Sequence, residues 1–289
     1  MSTVLVCTKP VVVGVDASPH AARAALWAAD EAVERGVPLH VIHSSALDPG
    51  LTRSRPGAHG AEEAGALGLE LLMEIEHLVR GAHPALEVTT AMSRESAAGV
   101  LIAASRDSDL MVVGTRGNGE PAGLLLGTVS LRLAAYSYCA TVLVRAQSDQ
   151  NSRSGEILLG MQENEPQEAV LFAFAQAARG GVAVRAVHVW APDAAYDHAD
   201  ISGTDIITRQ ATHQMTVALK GARDMFPDVP VTISVERGHA SAVLAEASRT
   251  AQLIVVSAHR GHGPLSVGAG IIHGMLSDAY CPVAVVPVA

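Results

Sequence analysis

The sequence predicts an α/β fold built as two tandem domains, and three observations carry that expectation: strand-like runs alternate with helical segments, the pattern is written twice, and the composition is aliphatic. A chain of 289 residues is long enough for two domains that each bury a core of their own. Apolar residues make up 49% while aromatics are only 3%, so the cores must be filled by Ala, Val, Leu and Ile, as where parallel strands are buried on both faces.

The repeat has a period of about 143 residues. VVVGVDASPHAARAALWAADEAVERG (11–36) corresponds to ILLGMQENEPQEAVLFAFAQAARGG (157–181), an apolar run, a polar turn and an Ala-rich helical pattern closed by Gly. LHVIHSS (39–45) matches VRAVHVW (184–190), with His43 and His188 in the same place, and LMVVGTRGNG (110–119) matches LIVVSAHRGHG (253–263). In the first copy, runs of four to seven residues predict strands near 11–16, 38–44, 86–91, 109–114 and 141–145. Helical segments fall near 19–35, 60–82, 95–106 and 127–137. In the second copy strands are expected near 156–161, 183–190, 231–236, 253–257 and 283–288, with helices between. Strand–helix alternation of this kind indicates βαβ units and a parallel sheet. Ser18-Pro19 supplies an N-cap followed by proline at the first helical position, and Glu165-Pro166 is read the same way.

The polar segment QSDQNSRSG (147–155) reads as a linker, so the chain divides into a first domain at 1–147, a linker at 148–155 and a second domain at 156–289. The polar, Gly/Pro-containing stretch 48–60 reads as a long loop, either a functional lid or unstructured.

A net charge of -9 argues against general DNA or RNA binding, which needs a basic surface. The start MSTVLVCTKP lacks a signal-peptide pattern, and no apolar run approaches the roughly 18 residues of a membrane span, so a cytoplasmic location is expected. Cys7, Cys139 and Cys281 are too few and too far apart for a disulfide framework or a metal knuckle and read as small buried hydrophobes.

The chemistry concentrates at 114–128. The run LMVV leads into Gly114-Thr115-Arg116-Gly117, and a loop then reaches Gly127-Thr128-Val129-Ser130 at a helix start. Glycines let backbone N–H groups approach an anion, and a helix N-terminus offers unpaired donors with partial positive charge. Thr128 and Ser130 add hydroxyls, Arg116 a positive charge, and the whole lies where open α/β sheets hold ligands. No Gly-Lys-Ser/Thr occurs and no GxGxxG follows the first strand, so neither common phosphate loop is present.

The spacing Gly114, two residues, Gly117, nine residues, Gly127, then Thr128 resembles the ATP-binding motif of universal stress proteins, and Ser130 fits its extended form. GVDAS after the first strand, the Ala-rich helix, GLLLGTVS and the Cys-bounded last strand look like that family too. The resemblance implies two Rossmann-like, adenine nucleotide alpha hydrolase-like domains, each a five-stranded parallel sheet of order 3-2-1-4-5 flanked by helices. It implies that Asp16 contacts the nucleoside through ribose hydroxyls and that Val15 and Ser44 hold the adenine, although the family usually has an apolar residue at Ser44. Val113, Gly114, Arg116 and Gly117 would line the ribose and phosphates, with Gly127, Thr128, Val129 and Ser130 closing around them. The implied ligand is ATP, with Mg2+. The implied partners are an internal pseudo-dimer through the last strands of the two copies and a regulatory protein, with a homodimer left open.

The second copy departs from the motif. Gln162 stands where Asp16 does, Ala258 is read opposite Gly114, and Ala269-Gly270 falls opposite Gly127-Thr128, so no ATP site is expected there. His259, His262 and His273 invite a metal reading that the glycines around them and the lack of nearby carboxylates weigh against. Two functions remain: a regulatory ATP-binding stress protein, favoured because no general base or nucleophile accompanies the loop, or a slow ATPase or nucleotidyl-transferring enzyme on the same fold.

Overall fold

The computed structural model describes residues 9–46, 59–115, 127–145, 155–191, 201–260, 274–275 and 278–288. The chain separates into two compact units, residues 1–146 and 147–289.

In the first unit the order is β1 (Val11–Val15), α1 (Pro19–Arg35), β2 (Leu39–Ser44), α2 (His59–Ala82), β3 (Val88–Ser93), α3 (Ala97–Ala104), β4 (Leu110–Gly114), α4 (Thr128–Tyr136) and β5 (Ala140–Val144). The strands pair in parallel in the order β3-β2-β1-β4-β5, with Val11 opposite both Leu39 and Leu110. The chain therefore winds outward from β1 to one side, then returns to build β4 and β5 on the other. Helices α1 and α2 pack together on one face of this sheet and α3 and α4 together on the other.

The aliphatic composition explains the close layers. Val11, Val13, Val41, Leu110 and Val112 are fully buried, and α1 meets the strands with Ala24, Ala25, Ala28, Ala29 and Ala32, also at 0% exposure. Alanine lets helix and sheet approach with little side-chain entropy lost. Gly36 ends α1 in the left-handed region at φ 67, a conformation costly for any residue with a Cβ. Just before it, Arg35 is paired with Glu31 at 3.1 Å and with Asp109, which precedes β4.

The second unit repeats the plan: β6 (Glu156–Met161), α5 (Gln167–Gly180), β7 (Val184–Trp190), α6 (Ile201–Met225), β8 (Val231–Arg237), α7 (Ala240–Ala247), β9 (Ala251–His259) and β10 (Val283–Val288). Its internal strand order is β8-β7-β6-β9-β10, again 3-2-1-4-5 within the unit, and Gly181 ends α5 at φ 62 as Gly36 ends α1. Each unit carries one tryptophan, Trp27 on α1 and Trp190 at the end of β7.

One clip recurs at both bases, though sequence reading had picked out only its cysteines. Ser105 Oγ accepts the Tyr138 N–H at 3.0 Å while Arg106 lies over the Tyr138 ring, 4.4 Å from its centroid. Ser248 Oγ likewise accepts the Tyr280 N–H at 2.8 Å, with Arg249 at 3.9 Å over that ring. Each clip fixes the start of a final strand to the helix preceding the fourth.

Several boundaries shift by one or two residues from expectation, α3 among them at 97–104 rather than 95–106. The third strand begins at Val88 rather than near 86, because Leu86 is buried in a turn closed by its N–H to the His83 carbonyl. The fourth strand of the second unit runs to His259, beyond the expected 257. The expected linker lies outside the described residues except Gly155, and so does the expected loop 48–60 except the helical 59 and 60 at its end.

Candidate functional site

In a doubly wound sheet the crossovers leave in opposite directions at one point, and ligands bind at the carboxyl ends of the strands there. In the first unit that point lies between β1 and β4. A cleft opens at it, with about 580 Å3 of empty space, its open mouth included.

The cleft is built by close approach. At Gly14 a Cβ would lie 2.6 Å from Leu101 Cδ1 and 3.1 Å from Val113 Cγ1, so glycine lets α3 settle against the strand ends. Ala97, Val100 and Leu101, at helical spacing on α3, form an apolar wall with Ile42 of β2 and Val15. Asp16, Ser18, Ser44 and Ser130 provide the polar side chains.

The ends of the glycine loop are tied together. The Thr115 N–H donates to the Val144 carbonyl at 3.0 Å, and the Gly127 N–H donates back to the Thr115 carbonyl at 2.9 Å. Ser130 Oγ donates to the Gly114 carbonyl at 2.8 Å, docking the first turn of α4 on the end of β4. The N-cap of α4 is Gly127, without a side-chain cap, so its first-turn donors face no competing side chain of the cap residue. The Ser130 proton is thus used within the protein, which leaves that hydroxyl an acceptor.

Asp16 Oδ1 accepts the Ser18 N–H at 3.0 Å. Ser18 occupies the N-cap of α1 with Pro19 following, but its hydroxyl makes no cap bond and is buried without a partner. The capping bond expected of Ser18 is not made; Asp16 instead holds the N–H of the N-cap residue itself, and Pro19 starts the helix with its φ already set. Ser44 Oγ donates to the Glu95 carbonyl at 2.6 Å, joining the end of β2 to the turn that leads into α3.

Of the residues singled out from sequence, Val15, Asp16, Ser44, Val113, Gly114, Gly127, Val129 and Ser130 come together around this cleft. Thr128 opens α4 as an exposed residue and is not on the wall. Arg116 and Gly117 lie outside the described residues. Gly14, Ser18, Ala21, Ile42, Ala97, Val100 and Leu101 also line the space and were missed. The apolar ones read in sequence as ordinary core; the helical spacing 97, 100, 101 just before LMVVG was the available signal. Asp16 is the one titratable side chain among the described lining residues, so the described wall has no paired base and nucleophile. Among the described residues there is also no group of three His, Cys, Asp or Glu positioned to hold a metal.

In the second unit the corresponding strand ends are bridged. Ile157 pairs with Val184 and Leu253 as Val11 pairs with Leu39 and Leu110, so register sets Gln162 opposite Asp16 and Ser257 opposite Gly114. Ser257, not Ala258, is the counterpart of Gly114. The sequence match had followed the downstream glycines, whereas hydrogen-bonded pairing counts residues. Gln162 Nε2 donates to Ser257 Oγ at 3.2 Å, bridging the ends of the first and fourth strands. Glu165 lies beside them, buried, with Oε2 accepting the Gln162 N–H at 2.8 Å and Oε1 without a partner. Burial pushes its carboxyl above the ordinary range; the Gln162 N–H and the Ser257 hydroxyl pull the other way. Helix α5 has Pro166 at its N-cap rather than its first turn. Beyond Ser257, Ala258 and His259 remain paired with Pro287 and Val288, where the first unit has already left the sheet. His262, His273, Ala269 and Gly270 lie outside the described residues.

The fold and cleft thus define a doubly wound α/β protein, made twice, with an open strand-end site in the first copy. The chain belongs to the universal stress protein family, whose sequence profile matches residues 8–145 and again 155–287. It is similar to a universal stress protein of Mycolicibacterium smegmatis, 32% identical over 291 residues, covering 96% of this chain and 95% of the relative. A universal stress protein of Mycobacterium tuberculosis (strain ATCC 25618 / H37Rv) is 30% identical over 295 residues, covering 96% and 94%. Among solved structures, a universal stress protein of Archaeoglobus fulgidus DSM 4304 covers 98% of this chain and 97% of its own, with a TM-score of 0.69 at 17% identity, a likeness of fold.

Proposed function

We propose that the first unit binds an adenine nucleotide, ATP in particular, and that occupancy of this one cleft is the regulatory signal the protein transmits. The observation that carries the reading is the cleft between Asp16 and Gly114. It has an apolar slot of Ile42, Val100, Leu101 and Val113 sized for a base, a carboxylate at its edge for ribose hydroxyls, and the uncapped start of α4 at its other end. Two features support the fit: no Cβ fills the space at Gly114, and the buried Ser18 hydroxyl still lacks a partner. Mg2+ would arrive with the triphosphate and supply charge neutralisation there; Ser130, whose hydroxyl keeps its acceptor lone pairs, is the described side-chain oxygen at the α4 end of the cleft that could face it. The described wall residues hold one carboxylate, Asp16, and the reading we favour is binding rather than turnover.

The test is to denature the purified protein and identify and count the released nucleotide, with ATP titration of the stripped protein. About one adenine nucleotide per chain is expected. Two per chain would overturn the assignment to the first unit alone, and none, with no heat on titration, would overturn the reading.

A further inference from the structure

His43 is the penultimate residue of β2, on the face opposite the cleft wall and one residue before Ser44, and its Nδ1–H donates to the Val15 carbonyl at 2.9 Å. That carbonyl belongs to the peptide joining Val15 to Asp16, so the ring holds the plane from which the Asp16 carboxylate departs. The carbonyl can only accept, which fixes the ring proton on Nδ1.

A second observation shows that the ring is clamped. Gly68 lies in the interior of α2, where glycine weakens a helix relative to alanine. A Cβ at Gly68 would lie 2.8 Å from His43 Cδ2, 3.0 Å from Nε2 and 3.2 Å from Met92 Sδ. The missing methyl lets α2 press on the imidazole and trap it against β1.

The second unit keeps the bond but not the glycine. His188 Nδ1–H donates to the Met161 carbonyl at 3.0 Å. Helix α2 ends six residues before β3 begins and α6 ends six before β8, which sets Ala211 opposite Gly68. Ala211 and His188 both border a small cavity. Glycine at this helix position accompanies the open cleft, and alanine accompanies the strand ends bridged by Gln162 and Ser257.

We infer that His43, seated by Gly68, is a positioning residue for the nucleotide: it orients the Val15–Asp16 peptide so that the carboxylate meets the ribose. This rests on the nucleotide reading above. ATP affinity and thermal midpoint would be measured for wild type, His43→Leu, His43→Asn, Gly68→Ala and His188→Leu. His43→Leu and Gly68→Ala are expected to bind about tenfold more weakly. His43→Asn, whose Nδ2–H takes the place of Nδ1–H, is expected to bind within about threefold of wild type. His188→Leu should lose about as much thermal stability as His43→Leu and keep wild-type affinity. Equal affinity in all variants, with wild type binding normally, would overturn the positioning role alone. A wild type that binds no adenine nucleotide would overturn the reading beneath it.

Discussion

Gln162 donates its side-chain amide to Ser257 Oγ at 3.2 Å, and these two residues occupy in the second unit the register positions of Asp16 and Gly114 in the first. One unit closes with a hydrogen bond the gap that the other leaves open. Copying the closure should therefore copy its effect. Gly114→Ser is expected to reduce ATP affinity at least about tenfold, measured by calorimetry, because the hydroxymethyl group enters the space beside Asp16. Undiminished affinity would show that the strand-end gap is not where the ligand sits.

Glu165 makes stability fall as pH rises. Burial lifts its carboxyl above the 4.5 of a free glutamate, so the folded state binds that proton more tightly than the unfolded chain. The contribution is complete below about pH 4.5 and is lost as pH climbs through the folded value. Glu165→Gln keeps an oxygen for the Gln162 N–H and removes the charge. It should raise the unfolding midpoint of the second unit at pH 7.5 and leave it unchanged near pH 4; a variant less stable at pH 7.5 would contradict the assignment.

Arg35 is held by Glu31 and Asp109, with only 6% of the Arg35 and Glu31 side chains exposed. Removing the guanidinium strands a buried carboxylate, which costs about 3–5 kcal/mol. Arg35→Ala should therefore lower the denaturant midpoint of the first unit's transition and leave that of the second in place. A loss under about 1 kcal/mol would mean the pair is solvated.

The thiol of Cys139 is pushed up to about 11, chiefly by burial. Thiolate is the reactive form, so alkylation at pH 7.5 should run roughly a hundredfold slower than in the urea-unfolded chain. Mass spectrometry of iodoacetamide adducts over time measures it, and comparable rates in both states would count against the buried environment.

The strands of both units were legible because Val, Leu and Ile runs such as VVVGV and LMVV are buried on both faces and bounded by polar turns. Asp16, Gly114, Gly127 and Ser130 were legible because phosphate-loop chemistry demands particular residue types at fixed spacing. Ile42, Val100 and Leu101 were not, since an aliphatic side chain facing a cleft has the same composition as one facing the core. Nor was the place of Ser257: two glycines downstream drew the match one residue off, and only pairing with β6 counts it correctly. The clamp at Gly68 needed the distance to His43, since a glycine in a helical pattern is silent about what presses against it.

The single tryptophan in each unit makes the protein its own optical control. Trp27 rides on the helix that starts beside the cleft, and Trp190 lies 5.6 Å from the Arg237 guanidinium in the other copy. With one indole replaced by phenylalanine, the remaining emission reports on one half of the chain. A drug, a denaturant or a nucleotide can then be scored as the difference between the two single-tryptophan proteins, each reporting on its own half of an otherwise identical chain.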